Sequence, residues 1–168
     1  MSPAESFTYG SELAVPMTTV LFATTMGDVR IELFEAEMPG TTKNFRTLVE
    51  KGFYDGTVFH RVIAGFMVQG GDPEGTGMGG PGYTIKDELP PTNRNARGTI
   101  SMANAGPNTG GSQFFLNVVD NARLDPKHPA FGKVVAGMDV VDAISKTPTD
   151  ARDRPRTPVA IRKATVVP

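Results

Sequence analysis

Residues 20–34 read VLFATTMGDVRIELF, and the way this stretch alternates decides the fold class. Two apolar runs, 20–25 and 29–34, flank Met26-Gly27-Asp28. In the second run Val29, Ile31 and Leu33 alternate with Arg30, Glu32 and Phe34. A period of two puts one set of side chains on a buried face, and two such runs across a short glycine turn make a β-hairpin. Further out, strand-like runs recur at 58–68, 83–86, 98–103, 113–119 and 131–135. VAIRKATVV (159–167) ends the chain as another alternating strand. The glycines and prolines fall between these runs as turn punctuation, as in a protein built of many short strands.

Two segments break the pattern. In PGTTKNFRTLVEKG (39–52), Phe45, Leu48 and Val49 recur at three to four residues, Pro39 stands at the start and Gly52 follows the last turn. This predicts an amphipathic helix closed by a C′ glycine. In MDVVDAISK (138–146), Val140, Val141 and Ile144 share a helical face. About eight short strands with a helix near each end predict a mainly β fold, a closed eight-stranded antiparallel β-barrel capped by two α-helices. Closure removes exposed edges, and eight strands leave an interior just filled by side chains. A ligand is therefore expected on the outer face of the barrel. The polar, proline-rich segment 147–158 reads as a surface loop.

At 168 residues the chain suits one domain with a sizeable core. Residues 1–17, MSPAESFTYGSELAVPM, read as a polar extension ahead of a domain over 18–168. They lack the basic region and apolar core of a secretory signal, so a cytoplasmic protein is expected. No apolar run approaches the roughly 18 residues of a membrane span. Lys and Arg number 17 against 18 Asp and Glu. With no basic surplus, no nucleic-acid partner is expected. The absence of cysteine rules out disulfides, iron–sulfur clusters and thiol nucleophiles. Only His60 and His128 offer imidazole, and a closed zinc site wants about four ligands, so no metal site is expected.

Several motifs carry less than they promise. GTGMGG (75–80) matches the dinucleotide fingerprint, but that mechanism needs a strand before it and a helix after it. Here Asp72-Pro73-Glu74 precedes the glycines and Pro81-Gly82 comes after them, so a tight glycine loop is the better reading. The carboxylate pairs Asp72/Glu74 and Asp87/Glu88 lie beside turn residues and read as solvated loop charge. Ser101 and Ser112 lack a nucleophile elbow. His128, near Leu124 and Phe131, reads better as an aromatic wall than as a general base.

The informative cluster is polar within apolar. FHRVIAGFMVQGGD (59–72) sets Arg61 and Gln69 among Phe59, Phe66 and Met67; ISMANAGPNTGGSQFFLN (100–117) sets Asn104 and Gln113 among Met102, Phe114 and Phe115. Strict alternation along one strand would put Arg61, Met67 and Gln69 on one face. Two such segments fit a shallow apolar groove with a few placed donors, the usual make-up of a small-ligand or peptide site.

At these residues, and at GTG (75–77), LDPKH (124–128) and FGKVVAGMDVV (131–141), the chain resembles the cyclophilin-type peptidyl-prolyl cis-trans isomerases over roughly 18–167. The short hairpin-to-helix segment and the GTGMGGPGY loop look like the compact prokaryotic branch. The resemblance implies a cofactor-free isomerase that turns X–Pro bonds in proline-containing polypeptides and unfolded proteins, acting as a monomer. It implies Arg61 as the catalytic arginine, Gln69 as the glutamine steadying it, and Phe66, Met67, Phe115, Leu124 and His128 around the proline ring. The backbone of Asn104 would hold the residue before proline, and Ala103, Ala105, Gln113, Gly75 and Thr109 would form the neighbouring subsite. The family's pocket-rim tryptophan is replaced by Arg123, so only weak cyclosporin binding is expected. The alternative is a proline-peptide binding module or chaperone without turnover.

Overall fold

A computed structural model describes residues 17–168, so the extension expected over 1–17 lies, apart from Met17, outside the described residues. The opening hairpin forms as its alternation requires. β1 (Thr19–Thr24) and β2 (Gly27–Leu33) pair antiparallel with Val20 opposite Ile31 and Phe22 opposite Val29, all four buried. Six more strands complete the set: β3 (Arg61–Ile63), β4 (Met67–Gly70), β5 (Thr99–Met102), β6 (Phe114–Asn117), β7 (Ala130–Ala136) and β8 (Ile161–Val167). They form one antiparallel sheet in the order β3-β4-β6-β5-β7-β2-β1-β8.

The expected closed barrel is corrected by this order, because no ladder joins the edge strands β3 and β8. The chain just before β3 meets the start of β8 through one bridge, Val58 to Ala160, and through the Phe59 amide donating to the Val159 carbonyl at 2.9 Å. Beyond that point β3 faces the 147–158 loop, where the Val62 amide reaches the Asp153 carbonyl at 2.7 Å. Pro155 and Pro158 have no N–H to extend a ladder there. The sheet is thus eight-stranded and curled, with an open seam.

Two strand boundaries also differ from expectation. The run 58–68 divides into β3 and β4 at Ala64-Gly65-Phe66, with Gly65 at φ 74°. The run 83–86 makes only the bridge Ile85 to Gly110.

Helix α1 (Pro39–Glu50) buries Phe45, Leu48 and Val49, the face its spacing predicts. It stops at Gly52 (φ 74°), whose amide donates to Val49 while that of Phe53 donates to Leu48, both at 3.0 Å. This is the paired reversal that a left-handed C′ glycine permits. Its N-terminus has no cap from its own residues; Glu88 supplies one, accepting from the Gly40 and Thr41 amides at 3.0 and 2.6 Å. Helix α2 (Met138–Ser145) buries Val141 and Ile144 and leaves Val140 half-buried. The Phe45 ring sits 5.0–6.1 Å from the rings of Phe22, Tyr54, Phe114 and Phe131, so α1 and the sheet share one aromatic core. Among the described residues no helix is long and apolar enough to cross a membrane.

Candidate active site

Alternation on three strands sends one set of side chains into the core and the other outward. Val62, Val68 and Phe114 are buried in the core, while Arg61, Met67, Gln69 and Phe115 line a cavity of about 420 Å³ on the outer surface. The β3–β4 register places Arg61 directly opposite Gln69 and Ile63 opposite Met67. Arg61 and Gln69 therefore share a face as partners across a hairpin, not as residues of one strand. The rest of the wall comes from Phe66, Ala103, Asn104, Arg123, Leu124 and His128. His128 meets the edge of Phe115 at 5.3 Å between centroids, and its Nδ1 lies 2.9 Å from the Met102 carbonyl. The Arg123 guanidinium stands 5.0 Å above the Phe66 ring, a cation–π contact.

A second cavity of about 360 Å³ adjoins the first, sharing Gln69, Ala103 and Asn104 and adding Ala105, Thr109, Gln113 and the segment Gly77–Thr84. All the site residues expected from sequence line one cavity or the other, except Gly75. Gly75 lies in the loop that follows Asp72, its amide donating to the Asp72 carbonyl at 3.0 Å and its carbonyl accepting from Arg154.

The polar groups form a directed chain. The Gln113 amide nitrogen donates to the carbonyls of Gly77 and Gly79, both at 2.9 Å, so its oxygen must accept. Gln69 donates to that oxygen at 3.0 Å, which leaves the Gln69 oxygen to receive Arg61 at 3.4 Å. The glycine carbonyls are themselves held by Asp72. Its buried carboxylate accepts from the amides of Glu74, Thr76, Gly77 and Gly79 at 2.6–3.1 Å. Burial would raise the Asp72 carboxyl, but those four amides outweigh it and hold the group below the usual carboxylate range. The amides of GTGMGG that a phosphate would need are thus occupied by this carboxylate.

His60, just before Arg61, is buried, and its Nδ1 has no hydrogen-bond partner. Desolvation lowers its pKa, Asp72 opposes this, and Arg154 and Arg61 add to it, so it stays neutral near pH 7. Among the described residues no group of three or more His, Asp or Glu is placed to hold a metal ion.

Sequence reasoning missed the supports of this site. Asn93 and Asn95, both buried, donate to the His128 carbonyl at 2.9 and 3.0 Å, and Asn121 donates to the Phe66 carbonyl at 3.1 Å. The available signal for Asp72 was an aspartate opening a glycine loop, the start of an Asx-type turn. Of the four carboxylates read as solvated charge, Glu74 is exposed as expected and the other three are corrected. Besides Asp72 at the loop and Glu88 at α1, Asp87 accepts from the Asn108 amide at 2.9 Å and ties two surface loops together.

A model of the family described as cyclophilin type peptidyl-prolyl cis-trans isomerase/CLD matches residues 19–166. A Neurospora crassa protein called peptidyl-prolyl cis-trans isomerase-like 1 is 51% identical, covering 89% of this chain and 94% of its own. The crystal structure of a Cryptosporidium parvum cyclophilin type peptidyl-prolyl cis-trans isomerase superposes with a TM-score of 0.88 at 36% identity, covering 91% of this chain and 99% of that one. Another structure of that protein, in the presence of the dipeptide Ala-Pro, gives 0.86 at 36% identity over 89% and 99%. Neither source is prokaryotic, so these relatives lend no support to the expected prokaryotic branch.

Proposed function

The chain belongs to the cyclophilin-type peptidyl-prolyl cis-trans isomerase family, and from that premise we propose that its outer groove turns X–Pro bonds with Arg61 as the catalytic group. The observation that carries the assignment is the Arg61 guanidinium in a cavity walled by Phe66, Met67, Phe115 and Leu124, hydrogen-bonded to Gln69 opposite it in register. Proline-containing peptides are the substrate, with the proline ring against Phe66, Met67, Phe115, Leu124 and His128 and the preceding residues toward the second cavity. The Cryptosporidium parvum structure with Ala-Pro supports this substrate class. Acting as a monomer on accessible prolines of unfolded proteins belongs to the same reading.

Partial double-bond character gives the peptide bond a rotational barrier of about 18–20 kcal/mol. Uncatalysed X–Pro isomerisation takes tens to hundreds of seconds. Halfway through the rotation resonance is lost and the proline nitrogen regains a lone pair. A hydrogen bond from Arg61 to that nitrogen exists only then, so it lowers the barrier without tightening the ground state. A charge-assisted bond is worth about 1.5–3 kcal/mol, and about 1.4 kcal/mol is tenfold in rate, so Arg61 accounts for roughly ten- to a hundredfold. The remainder falls to the apolar walls, which hold the ring still while the preceding carbonyl swings.

The test is exchange spectroscopy on an Ala-Pro peptide, which reads binding and turnover together. Faster cis–trans exchange is the expected result; binding without acceleration would establish the binding-module alternative. Cyclosporin is expected to inhibit weakly, because Arg123 over Phe66 offers neither an indole ring nor its N–H, and nanomolar inhibition contradicts this.

A further inference from the structure

The cationic groups around the proline cavity are left over from the fold's own charge pairing. The ion pairs among the described residues are Arg46–Glu50, Arg97–Asp142, Lys133–Glu32 and Lys163–Asp55. Arg61 and Arg123, both exposed, enter none of them. Arg61 and Arg123 line the cavity, and the Lys127 carbonyl accepts from Asn104 in its wall at 2.8 Å. The two carboxylates nearest Arg123 in sequence are engaged elsewhere. Asp120 accepts from the Arg97 amide at 2.8 Å, and Asp125 accepts from the Asn95 amide at 2.6 Å.

Arg123 also sits against the wall of the cavity: its guanidinium carbon lies 5.0 Å from the centroid of the Phe66 ring, a cation–π contact, and its fork of N–H donors matches a carboxylate. Arg123 lines the first cavity and not the second. With the residues before proline directed toward the second cavity, which Arg123 does not line, the residue left to meet Arg123 is the one that follows proline.

We propose that Arg123 is a specificity-determining residue that selects substrates carrying an acidic side chain immediately after the proline. This rests on the isomerase reading and on the direction it gives the peptide. An exposed ion pair made by a pre-positioned fork gives a preference of about three- to fivefold, screened by salt.

The experiment measures kcat/KM by protease-free exchange spectroscopy for three peptides that differ only in having Glu, Gln or Lys after proline. The wild type is expected to favour Glu over Gln about three- to fivefold and to disfavour Lys, with the spread collapsing in about 1 M salt. In Arg123→Gln the Glu-to-Gln ratio falls to about one, whatever that variant's absolute rate, and Arg123→Lys restores part of it. Equal rates on the three peptides with wild type, or a Glu preference that survives in Arg123→Gln, overturns the proposal alone. Acceleration of none of the three overturns the isomerase reading together with it.

Discussion

His60 and Arg61 are neighbours in sequence with opposite environments. Arg61 is exposed and lines the cavity, whereas His60 is buried, neutral and unpaired at Nδ1. The lowered His60 pKa makes a pH prediction whose sign is fixed. Above about pH 6.5, the ordinary value, neither folded nor unfolded chain is protonated there, and the stability it contributes is complete. As pH falls below that value the unfolded chain takes up the proton first, and stability is lost toward the depressed folded pKa. Asp72 behaves likewise at lower pH: its contribution is complete above about pH 4 and disappears as pH falls through its lowered folded pKa. Urea midpoints are therefore expected to fall from about pH 7 to about pH 5 in the wild type and to fall less in His60→Gln. A wild-type midpoint flat over that range contradicts the assignment. At this scale the catalytic candidates were legible because Arg and Gln are conspicuous within an apolar run. The asparagines behind them were not, since their role lies in which carbonyl each one meets.

Single elements explain the misreadings as well as the successes. The hairpin and both helices follow from periodicity because each buries one face. The run 58–68 misleads because a continuous apolar stretch does not mark its own bend, and only Gly65 hints that β3 ends before β4 begins. Arg61 and Gln69 share a face either way, by parity: the short connection pairs 61 with 69, the same odd–odd relation that one strand would give. The start of α1 is legible from Pro39, but its cap is not, since that comes from Glu88, 48 residues from Gly40. Two amide bonds and a favourable helix-terminus charge make this cap worth about 1–2 kcal/mol. Glu88→Ala is expected to lose that much stability by urea titration and to retain turnover, since Glu88 lines neither cavity. A loss below about 0.3 kcal/mol contradicts the cap.

Across the whole molecule, the sheet makes core and groove two faces of the same strands. Phe114 in the aromatic core and Phe115 in the outer cavity are consecutive residues of β6. The apolar pattern shows that the strands curl around a core, but an open seam between β3 and β8 depends on where two prolines fall beside the edge, which alternation does not encode. Arg61 is tied to the Asp72 loop through Gln69 and Gln113, and the proposed mechanism makes turnover depend on that positioning. The most direct test compares kcat/KM and peptide affinity for wild type and Arg61→Ala on the same Ala-Pro peptide. The expected result is at least a roughly tenfold fall in kcat/KM with a much smaller change in affinity and an unchanged circular dichroism spectrum. Turnover unchanged in a folded Arg61→Ala protein would contradict it.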